Sequence, residues 1–81
     1  MKPLTFNSDK LRTLRKERRW SQQDLSVEIS VYARKHKLDL AAHPDTIDNW
    51  EEGRNFPPSD MLPILAAVFA IEINQFYTNG S

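Results

Sequence analysis

The sequence contains no cysteine, which excludes a disulfide framework, a thiolate metal site and a thiol nucleophile. Glycine occurs only twice, too rarely for a glycine-rich phosphate loop. With no nucleophile–base pair and no carboxylate dyad in the pattern, the chain is not expected to be an enzyme, and no cofactor is implied. The longest apolar stretch, residues 61–71, is too short to cross a bilayer and contains Pro63. No positively charged leader with an apolar core follows Met1, so a cytoplasmic protein without membrane association is expected.

The chain also lacks a net charge, with 11 basic and 11 acidic residues. That balance conceals a split. Residues 1–37 carry ten Lys or Arg against Asp9, Glu17, Asp24 and Glu28. Residues 38–81 carry only Arg54 against Asp39, Asp45, Asp48, Glu51, Glu52, Asp60 and Glu72. Such a distribution suggests a face for an anionic partner on the basic half. Its 81 residues, 40% hydrophobic and 27% charged, fit a single globular domain spanning 1–81 rather than a disordered chain.

Four or five short helices and no strand are predicted. Leu11 and Leu14 lie three apart in a run of helix formers opened by Asn7, Ser8 and Asp9. Ser21 is a second N-cap, with Asp24 three residues on as in a capping box, and Leu25, Ile29 and Tyr32 form one stripe. This helix is expected to run on through Arg34, Lys35 and His36 and to break before Pro44. Pro44 suits a first helical position, with His43 as an imperfect cap. Ile47 and Trp50 face inward, and Gly53 closes this third helix. A fourth helix is expected from Ser59 or Asp60, burying Leu62, Leu65, Ala66 and Phe69. A last turn near residues 73–77 would dock Ile73 and Phe76, and residues 78–81 read as a polar tail or the start of a linker. His36, Asp39 and His43 would align at i, i+3 and i+7 only on an unbroken helix, so no metal site is expected. Trp20 and Trp50 read as core wedges rather than stacking platforms for bases.

Two blocks carry a resemblance. Residues 11–15 (LRTLR) with 20–26 (WSQQDLS), and residues 46–54 (TIDNWEEGR) with Pro57 and the apolar run to Phe76, resemble the two halves of a phage-repressor-like helix-turn-helix domain of the Cro/cI, xenobiotic-response-element type. The likeness covers about residues 8–77, with one departure. Val31 and Thr46 are fifteen positions apart where the family has about four, so an insertion of about eleven residues enlarges the turn. The resemblance implies an all-α, lambda-repressor-like bundle and sequence-specific binding of double-stranded DNA by a transcriptional regulator, a repressor by preference.

In that family the helix at about 44–52 would read the major groove, with His43, Pro44, Asp45 and Asn49 in the base-reading positions. Asn49 suits adenine, because its amide can donate and accept together. Asp45 would accept from cytosine, and Pro44 offers only apolar contact. The resemblance places Ser21, Gln22, Arg54 and Asn55 against phosphates, and Arg34, Lys35 and Lys37 of the insertion would replace charge that the acidic helix lacks. Arg15 and Glu51 match an internal ion pair of the family. A homodimer is implied, through Ile64, Ala67 and Tyr77 of this segment or through a C-terminal part outside it. A protein partner, an antirepressor or a toxin, is also compatible. The competing reading is a protein-interaction module on the same scaffold, with DNA binding weak or lost.

Overall fold

The computed structural model describes residues 5–78 and is mostly helical. A two-residue strand, β1 (Thr5–Phe6), leads into α1 (Ser8–Glu17), α2 (Gln22–Lys35), α3 (Pro44–Glu51) and α4 (Leu62–Phe69). A single 3-10 turn (Ile73–Phe76) and a second two-residue strand, β2 (Tyr77–Thr78), complete the order. The strands pair antiparallel, Thr5 opposite Thr78 and Phe6 opposite Tyr77. Sequence reading predicts no strand here, because two residues show no period. The pairing also draws Thr78 out of the expected tail, of which residues 79–81 lie outside the described residues.

Local chemistry sets the helix starts. The Asn7 side chain accepts from the Lys10 N–H at 3.1 Å, capping α1. Ser21 and Asp24 form a complete capping box on α2, with bonds of 2.9 and 3.0 Å. α3 begins at Pro44 with no side-chain bond from His43. α4 starts two residues later than Asp60, with Met61 at its cap and Pro63 in the first turn. Pro63 is tolerated there because a first-turn N–H has no partner inside the helix.

The helix ends share one geometry. The residues two beyond the last helical positions of α1, α2 and α3, and one beyond that of α4, adopt positive φ: Arg19 (59°), Lys37 (58°), Gly53 (77°) and Ala70 (56°). In each case the next residue's N–H reaches back five positions: Trp20 to Arg15, Leu38 to Ala33, Arg54 to Asn49 and Ile71 to Ala66, at 2.7–3.1 Å. This is the Schellman closure, which normally selects glycine, and only one of the four has it.

One core joins all the elements. Leu11, Leu25, Ile29, Ile47, Leu65 and Phe76 are fully buried, and Trp50 is 3% exposed. α3 packs against α1 and α2, and α4 packs against α2 and the 3-10 turn. Ile64, expected on the surface as a dimer contact, is 1% exposed, so that expectation is corrected: the core takes a wider arc of α4 than the i, i+3, i+4 stripe. Tyr77 is half-buried against the core and held in β2, while Ala67 stays exposed. Of the two residues expected to dock from the last turn, Phe76 is fully buried and Ile73 is 39% exposed, because one tight turn presents only one of them to the core. No described helix is long and apolar enough to cross a membrane.

Candidate functional site

α3 and its surroundings concentrate the polar chemistry of the molecule. Ile47, Trp50 and Glu51 are buried, which turns the opposite side of the short helix outward. His43 and Asp45 are exposed there, and Pro44, Asp48 and Asn49 are half-buried. Asn49 is therefore not enclosed by other side chains. Asp45 lies in the first turn, where the helix dipole favours a carboxylate.

Glu51 anchors α3 to α1. Arg15 grips it as a fork, Nε to Oε2 at 2.6 Å and Nη2 to Oε1 at 2.9 Å, and also donates through Nη1 to the Trp20 carbonyl at 2.8 Å. The Glu51 side chain is 1% exposed and that of Arg15 11%. Hydrogen bonding to Glu51 holds the Arg15 guanidinium protonated, raising its pKa against the opposing effect of burial. Gln22 adds a bond from Nε2 to Glu51 Oε1 at 3.2 Å.

The other two acids near the end of α3 are also matched. Arg12 donates to Glu52 Oε1 at 2.8 Å and to the Glu51 carbonyl at 3.4 Å. Arg54 donates from Nη2 to Asp48 Oδ2 at 2.7 Å and from Nε to Asn49 Oδ1 at 2.8 Å. Gln22 Nε2 meets the second Asp48 oxygen at 3.1 Å. The Asp48 carboxyl is held below its ordinary pKa, first by the Gln22 hydrogen bond, which desolvation opposes, and further by the charge and hydrogen bond of Arg54. Of the acids on and beside this helix, only Asp45 has no ion pair among the described residues.

These contacts distribute the predicted residues unevenly. His43, Pro44, Asp45 and Asn49 share the α3 surface, with Arg54 and Asn55 at its end. Gln22 stands beside α3, but its amide nitrogen is committed to two carboxylates. The Ser21 hydroxyl accepts from the Asp24 N–H, and the Asp24 carboxylate accepts from the Ser21 N–H, so the start of α2 already has its anion. Arg34, Lys35 and Lys37 are exposed at the far end of α2 and form no ion pair among the described residues. The stretch read from sequence as an insertion divides into helix and a strap: α2 runs to Lys35, and the chain then returns with Ala42 buried and its carbonyl accepting from Ser26 Oγ at 2.6 Å.

Arg12 and the Arg54–Asn49 bond were missed from sequence. Arg12 and Arg15, three apart on α1, share a face, and that signal was available; a bond between Arg54 and a residue five earlier follows from the helix closure and has no sequence pattern. Among the described residues no three His, Asp or Glu side chains are placed to hold a metal ion. Comparison of the chain with protein-family models, curated proteins and solved structures finds no match.

Proposed function

We propose that this chain is a sequence-specific double-stranded DNA-binding domain of a transcriptional regulator, a lambda-repressor-like bundle with an enlarged helix-turn-helix whose α3 enters the major groove. One observation carries the reading. The acidity of α3, the strongest objection to a DNA contact, is matched within the fold: Glu51 by Arg15, Glu52 by Arg12 and Asp48 by Arg54. A helix that would repel phosphates as a bare sequence presents a largely compensated surface, on which His43, Pro44, Asp45 and Asn49 face outward. Phosphate contacts then fall to cations outside these pairs, foremost Arg34, Lys35 and Lys37.

Selection from a random duplex library, followed by fluorescence anisotropy on the enriched and the random duplexes, tests the reading. Enriched sequences bound at least about a thousandfold more tightly than random duplex are expected of a specific binder. Failure to bind any duplex would favour the protein-interaction module, which a different observation supports: Val27 and Val31, one turn apart on α2, are 48% and 54% exposed.

A further inference from the structure

We infer that Arg54, Asn49 and Asp48 form one clamped unit that reads guanine, so that Arg54 is a specificity-determining residue and not only a backbone contact. This rests on the DNA-binding reading and specifies what its central position recognises. The argument is one of donors and acceptors. Arginine can only donate, so the Nε–H at 2.8 Å from Asn49 Oδ1 fixes which end of the amide faces Arg54. The Asn49 oxygen is turned to the guanidinium, and the Nδ2 donors are left for a ligand.

Arg54 is held at a second point by Asp48 Oδ2 at 2.7 Å, and Asp48 is itself steadied by Gln22 at 3.1 Å. Arg54 retains both hydrogens of Nη1 and one of Nη2. Beside the carboxylates of Asp45 and Asp48, the surface formed by Arg54 and Asn49 therefore offers mainly donors, and one lone pair of the Asn49 oxygen is already engaged. In the major groove guanine presents two neighbouring acceptors, O6 and N7, whereas adenine places a donor beside N7 and thymine places a methyl beside O4. A donor-rich pair fits guanine. Adenine, which an unencumbered asparagine would prefer, must share the Asn49 oxygen with Arg54, which holds it turned toward the guanidinium.

The test uses the full chain and the best duplex from library selection, varied one base pair at a time. Wild type is expected to require guanine at one position, with adenine there weakening binding by about 5- to 150-fold, the range of one bidentate base contact. Arg54→Ala releases the Asn49 oxygen. It should lower the guanine-over-adenine ratio at that position by at least about tenfold while leaving preferences elsewhere unchanged. Arg54 is exposed, and an unchanged circular dichroism spectrum would confirm that the variant folds. An equal loss on enriched and random duplexes would make Arg54 a phosphate contact and overturn the inference. A wild-type preference for adenine at every position sensitive to Asn49→Ala would overturn it while leaving DNA binding intact. Absence of binding to any duplex would remove both.

Discussion

Arg15 and Glu51 illustrate how much one pair of residues decides. A carboxylate that is 1% exposed is costly to bury, and its attraction to the guanidinium offsets that cost only with good geometry. Here the fork supplies two bonds, and Gln22 supplies a third. Removing Arg15 leaves the Glu51 charge inside with only Gln22 and the more distant Arg12, 3.7 Å away. Arg15→Ala should therefore cost about 3 kcal/mol, the low end for a broken buried pair, out of a total stability of about 4–12 kcal/mol for a chain this size. Urea denaturation measures it. A loss below about 1 kcal/mol would mean that Arg12 swings in to replace the missing partner. Arg15→Lys should fall between, because an ammonium keeps the charge but cannot fork.

At the scale of the helix, the four matching closures make an internal comparison. Positive φ costs a non-glycine residue about 1–2 kcal/mol, whereas glycine loses about 0.5–1 kcal/mol through the freedom of the unfolded chain. Ala70→Gly should thus stabilise the protein by about 0.5–1 kcal/mol, and Gly53→Ala should destabilise it by about 1 kcal/mol. A Cβ on Gly53 would lie 3.7 Å from Ser8 Oγ, an ordinary contact, so backbone conformation alone sets the second value. Thermal melts of the two variants, moving in opposite directions, check both. The same closures explain what sequence reading could reach. The end of α3 was legible because Gly53 marks it, and the capping box at Ser21 and Pro44 at the start of α3 were legible for similar reasons. Arg19, Lys37 and Ala70 adopt the same conformation without the residue that signals it. The end of α1 and the docking of Ile71 against the core follow from tertiary packing that the local sequence does not encode. In the candidate site, the Arg15–Glu51 pair was legible through family resemblance. The Arg54–Asn49 bond was not, since it depends on the α3 closure turning the chain back over its own helix.

At the scale of the whole molecule, the issue is where the positive charge goes once the ion pairs have formed. The sequence divides into a basic and an acidic half, and folding joins them: Arg12 and Arg15 of α1 cross to Glu51 and Glu52. Arg18 is also committed, donating to the Phe69 carbonyl at 2.7 Å and lying 5.5 Å from the Trp20 ring centroid. The basic half therefore spends several arginines on cohesion, and the extended end of α2 keeps its cations in solvent. On the DNA-binding reading these cations supply most of the phosphate neutralisation. A binder using about four cations should show a slope of log affinity against log salt near −3 to −4. Replacing Arg34, Lys35 and Lys37 together by alanine should bring that slope to about −1, with a similar loss on enriched and random duplexes, because phosphate contacts carry no sequence information. All three side chains are exposed, so folding should be preserved. Anisotropy titrations between about 50 and 200 mM salt span the range in which such a change is largest. An unchanged slope would make the end of α2 a solvated extension and move the phosphate contacts to the α1–α2 side of the molecule, where Lys16 and Arg19 are exposed.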